Sequence, residues 1–92
     1  MFYVRIAYNA PGRHEARAQH FEAHKAHLAS GASIIAQSGP LYATADEARV
    51  GALILFNAAS LAAVEDFSAR DPFILHGVYD DVRILRFDKT MG

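Results

Sequence analysis

Five histidines and no cysteine frame the chemistry open to this chain of 92 residues. His20, His24 and His27 recur at i, i+4 and i+7, which lines them along one side of a helix, and histidines four apart can grip a divalent metal. The stripe lacks the glutamate of a His-Glu-x-x-His zinc hydrolase, and no cysteine or carboxylate is spaced to complete a tetrahedral site, so no metal is expected. The bland reading of the same residues puts His24 against the sheet or the second helix, with His14 and His27 facing water. Arg17 lies one turn before His20 on the same side, where it could hold an anionic ligand group or simply pair with Asp71 or Glu22. Tyr3, Tyr8, Tyr42 and Tyr79 could line a pocket for an aromatic ligand, although tyrosines near strand ends more often pack with the hydroxyl at the surface. Without a cysteine, and with no serine in a strand–turn–helix elbow, covalent catalysis has little support. The glycines are scattered singly, so no phosphate cradle and no nucleotide cofactor are expected.

The elements that must position these groups are legible from periodicity and punctuation. Phe2, Val4, Ile6 and Tyr8 alternate on one face of a strand, which Asn9-Ala10-Pro11-Gly12 breaks. From Arg13 to about Ser30 an alanine-rich stretch free of proline and glycine reads as a helix. Phe21, His24 and Leu28 fall on one stripe of it, and Gly31 stands where a positive φ commonly stops a helix. Ser33–Ser38 is a short strand expected to end at Gly39-Pro40, and Leu41–Arg49 reads as a connection. Gly51–Phe56 is a third strand, with Leu53 and Leu55 on one face and Ala52, Ile54 and Phe56 on the other. Ser60 can cap a helix over Leu61–Ala69, and Asp71-Pro72 suits the start of a short helix that Gly77 ends. Val82–Phe87 is the last strand.

The order βαββαβ predicts one α+β domain over residues 1–92, a ferredoxin-like sheet with helices on one face. Strand three is apolar on both faces, and strand one is expected to offer Tyr3 and Ala7 to the helix-free face. An apolar open face in so small a chain, with no disulfide to help, is best covered by a second copy. A homodimer packed sheet to sheet is therefore expected.

Hydrophobic residues make up 52% of the chain and charged ones 21%, which excludes a disordered tail. Nine Lys and Arg against ten Asp and Glu leave a formal charge of −1, with no footprint for nucleic acid. The longest apolar run, Ala52–Phe56, is far short of the roughly 20 residues of a membrane span. Met1-Phe2-Tyr3-Val4-Arg5 does not open like a signal peptide, so a soluble, cytoplasmic protein is expected.

Four pieces in order resemble the YciI-like (YCII-related) family. Arg17-Ala18-Gln19-His20-Phe21 looks like its Arg-x-x-His-Leu, Gly39-Pro40 like its Gly-Pro, and Asp71-Pro72-Phe73 followed by Gly77-Val78-Tyr79 like its Asp-Pro-[Phe/Tyr]…Gly-Val run. The resemblance spans about Tyr3 to Phe87. It implies a dimeric α+β barrel and a pocket holding a His–Asp pair, which by motif position is His20 with Asp71. One branch of the family removes chloride from a chlorinated hydroxyhydroquinone. Phe21 departs from the usual Leu, and His76 stands where a small residue is common, so it could narrow or repurpose the pocket.

A His–carboxylate pair can take and return a proton near neutral pH, because imidazole changes charge between about pH 5 and 8 and the carboxylate fixes its tautomer. The expected activity is that of a small cofactor-independent enzyme. His20 and Asp71 would be its catalytic residues and Arg17, Tyr8 and His76 its substrate contacts. The reaction would be an elimination, isomerisation or hydrolysis of a small polar or aromatic metabolite. The alternative is a non-catalytic module that binds a small molecule. From spacing alone Asp71 is accounted for as a helix cap, and His20 as a solvent-facing residue.

Overall fold

The computed structural model describes residues 1–92, which run β1 (Phe2–Asn9), α1 (His14–Ser30), β2 (Ile35–Tyr42), β3 (Arg49–Asn57), α2 (Leu61–Ala69), α3 (Pro72–Leu75) and β4 (Tyr79–Phe87). The strands form one antiparallel sheet in the order β2-β3-β1-β4, the ferredoxin-like arrangement. Ser60 caps α2, accepting the Ala63 N–H at its Oγ, and Asp71 caps α3 with Pro72 at the first helical position. Gly77 then turns the chain into β4 at φ 65°, a conformation that suits glycine.

The helix-covered face of the sheet carries Tyr3, Arg5 and Ala7 of β1 with Ile54 and Phe56 of β3, all buried. Against them pack Val64 and Phe67 of α2 and Phe73 of α3. Each such side chain contributes about 1.5–3 kcal/mol through apolar area removed from water. The opposite face shows Phe2, Val4, Ile6, Leu53, Leu55, Leu85 and Phe87 with no element over it. The expected assignment of strand one is therefore inverted: Tyr3 and Ala7 lie under the helices and Phe2, Val4, Ile6 and Tyr8 on the open side. Alternation separates the two faces but does not say which is inside. Arg5 looks like a solvent residue in the sequence, yet it is buried with an acidic partner.

Two further expectations change. β2 does not stop at Gly39-Pro40 but continues to Tyr42, with Gly39 opposite Leu53 and Pro40 opposite Ala52. Proline lacks a donor, which an edge strand tolerates, and β2 is an edge. Gly31 has φ −96°, not a positive value. Glycine is needed there for space, since a Cβ would sit 2.5 Å from Cζ of Phe67.

Candidate functional site

Asp71 is the joint where four elements meet. Its carboxylate is 0% exposed. Oδ1 accepts the Phe73 backbone N–H at 2.9 Å, which is the α3 cap, and also the Nδ1–H of His24 from α1 at 2.7 Å. Oδ2 lies 3.0 Å from NH1 of Arg5 on β1 as a charge contact rather than an aligned hydrogen bond. The same NH1 donates to Ser68 Oγ of α2 at 3.2 Å. Burial alone would push the Asp71 carboxyl up. The hydrogen bonds from His24 and Phe73, with the charges of His24 and Arg5, outweigh it and hold Asp71 below the usual carboxylate range.

An ionised carboxylate can only accept, so the proton of a neutral His24 sits on Nδ1 and leaves Nε2 as a bare acceptor. The His24 ring is fixed by stacking on Phe73, at 3.9 Å between centroids and 3° between planes, and by the edge of Tyr79. No protein group takes its Nε2. The ring lines a cavity of about 220 Å³ between α1 and the sheet, whose walls include Arg5, Phe21, Lys25, Arg49, Ile54 and Tyr79. Desolvation raises the Tyr79 phenol above its ordinary value of 10.0 despite the opposing charge of Arg5, so it enters the site as a neutral hydroxyl.

His20 does not reach Asp71. Its ring stacks on His76, the residue at the C-terminal end of α3, at 3.6 Å and 1° between planes. The contacts His20–His76 and His24–Asp71 show that α1 and α3 run antiparallel, so one turn along α1, about 6 Å, moves from the end of α3 to its beginning. The histidine that meets Asp71 is therefore His24, one turn beyond the His20 expected from the motif. A usable signal was present: His24 shares the stripe of Phe21 and Leu28, and a histidine on an inward stripe is a better mate for a buried cap than one beside it.

The other expected contacts also lie outside this cavity. Arg17 donates from NH2 to Asn9 Oδ1 at 2.6 Å and lies over the Phe73 ring at 5.0 Å, taking neither Asp71 nor Glu22. Tyr8 stands on the open sheet face, 41% exposed. His76, paired with His20, lines a separate surface hollow with Arg13 and His14. His27 does not simply face water: its Nε2 pairs with the Phe67 carbonyl at 2.7 Å and its ring stacks on Phe67. The stripe thus fans out to three different partners, and no three His, Cys, Asp or Glu side chains gather as a metal site. Arg5 is the residue that sequence reasoning passed over, and its type gave no signal, since a lone arginine in a strand normally marks the wet face.

The family model described as YCII-related domain matches residues 1–88. Among solved structures, the chain is similar to the 5-chloro-2-hydroxyhydroquinone dehydrochlorinase TftG of Burkholderia phenoliruptrix, in complex with 2,5-dihydroxybenzoquinone. The TM-score is 0.82 and the identity 25%, over 96% of this chain and 94% of that one. It shares its fold with PA3566 of Pseudomonas aeruginosa, at TM-score 0.54 and 17% identity over 98% and 93% of the two chains. SnoaB, a cofactor-independent oxygenase of Streptomyces nogalater, has it too, at TM-score 0.53 and 13% identity over 98% and 93%. No curated protein matches in sequence. No helix is long and apolar enough to cross a membrane.

Proposed function

Because the chain belongs to the YCII-related domain family, we propose that it is a small enzyme without a cofactor that moves a proton on a small polar or aromatic metabolite, with His24 as the general base and acid. The observation that carries this reading is the 2.7 Å hydrogen bond from His24 Nδ1–H to buried Asp71, which leaves Nε2 without a protein partner on a residue that lines the cavity. Asp71 is the orienting partner: it holds the tautomer and stabilises the imidazolium that forms when Nε2 takes a proton. The ring receives the proton from a hydroxyl or an acidic carbon and returns it to the product or to a leaving group. Elimination, isomerisation and hydrolysis all fit that sequence. The dehydrochlorinase named above makes elimination from a hydroxylated ring the first reaction to try.

The reading includes a second copy of the chain. Leu53, Leu55, Leu85 and Phe87 with Phe2, Val4 and Ile6 form an apolar sheet face that nothing in one protomer covers, which supports packing sheet to sheet. It also includes a cytoplasmic location, which cell fractionation tests.

The test is proton exchange. Hydroxylated aromatics are incubated with the protein in D2O and followed by NMR for protein-dependent deuterium uptake or elimination. The expected result is turnover that His24→Asn abolishes and His20→Asn leaves in place. Ligands that shift the melting temperature yet emerge unchanged and undeuterated would instead make the protein a binding module.

A further inference from the structure

Arg5 has more hydrogen-bonding capacity than the protein uses. It is 1% exposed, yet only NH1 has partners, Ser68 Oγ and the Asp71 carboxylate. Nε and NH2, the two nitrogens along one edge of the guanidinium, are buried without any. Leaving charged donors unsatisfied in a low-dielectric interior is costly, and such groups are normally paired. Asp71 offsets the charge but leaves that edge untouched. Arg5 is also part of the wall of the His24 cavity, which Lys25 and Arg49 share and to which no aspartate or glutamate contributes. Lys25 is only loosely engaged, 3.5 Å from the exposed Glu22.

We propose that the free edge of Arg5 is the carboxylate-binding end of this cavity, so that the ligand is a small carboxylic acid bound as its anion. Two parallel N–H donors match the two oxygens of a carboxylate, a fit that Lys cannot reproduce. The cationic rim favours entry of an anion, and the aromatic and aliphatic wall takes the rest of the molecule. Arg5 thereby selects what His24 acts on, so the inference rests on the cavity being the ligand site but not on catalysis there.

Benzoate and its neutral isostere benzamide separate the possibilities in the unmodified protein. Calorimetric titration is expected to show benzoate binding at least roughly tenfold more tightly, the scale of a charge-assisted pair. The Arg5 Nε–H NMR resonance should move with benzoate and stay still with benzamide. Arg5→Lys keeps the charge beside Asp71 and should lose most of the discrimination. Equal affinity for the two probes, no binding of benzoate, or an unmoved Arg5 resonance would each overturn the proposal. Benzoate binding with the Arg5 signature, in a protein that exchanges no proton in D2O, would leave this proposal standing and remove the catalytic reading, so the two failures are seen apart.

Discussion

His24 and Asp71 are 47 residues apart in the chain and 2.7 Å apart at Nδ1 and Oδ1. Asp71 accepts the cap N–H of Phe73 at the same oxygen, so the residue that starts α3 also sets the proton on the imidazole of α1. A helix cap and a tautomer lock are here one group.

In 15N NMR of the neutral imidazole, His24 should show Nδ1 protonated and Nε2 bare. Asp71→Asn can either donate or accept, so it should allow the other tautomer to appear. A His24 spectrum identical in the two proteins would break the link between cap and imidazole.

Asp71 should also dominate acid stability. Its folded carboxyl titrates below the unfolded value of 3.8, so the unfolded chain binds the proton more readily. The stabilisation is complete above the unfolded value and is lost as pH falls through the folded one. Asp71→Ala removes the cap, the His24 partner and the counter-ion of buried Arg5, and should cost about 3–5 kcal/mol at neutral pH. Urea melts at pH 7 and pH 3 should show the variant close to flat where the native protein weakens.

His20 gives a separate pH signature. Its pKa is lowered from 6.5 by desolvation and by the neighbouring His76 and Arg13 charges. The unfolded chain therefore takes up the proton first, and stability falls as the pH drops from above 6.5 toward the folded value. His20→Gln should reduce the loss that sets in as the pH falls through 6.5, while leaving His24-dependent proton exchange in place.

The approach of α1 to α2 depends on Gly31. An added Cβ would meet the Phe67 ring at 2.5 Å, and that ring is held between His27 and Phe56. Gly31→Ala should cost about 1–3 kcal/mol through overpacking. Adding Phe67→Leu should recover part of it, because the two changes share one space. Additive losses in thermal melts would contradict the close packing.

The open sheet face is tested by charge. Leu85 is 52% exposed opposite Val4 on that face, so Leu85→Asp should leave the fold intact, read by circular dichroism. Light scattering should then show the proposed dimer dissociating to protomers. A native protein already monomeric at micromolar concentration would remove the dimer from the reading.

Local chemistry was enough to determine the element order, the Ser60 and Asp71 caps, the helix over Leu61–Ala69 and the period-2 grouping of Phe2, Val4, Ile6 and Tyr8, because caps, breakers and periodicity act within a few residues. The family motifs likewise singled out Asp71. Which side of β1 faces inward, and which histidine turns toward Asp71, were decided only by tertiary structure. Both follow from one long-range arrangement, in which a buried carboxylate must find a counter-charge and hydrogen-bond donors and takes Arg5 from the sheet and His24 from the antiparallel helix. That requirement couples residues with no local signal of each other. An arginine that looks wet became a wall of the cavity, and the pairing moved by one helical turn.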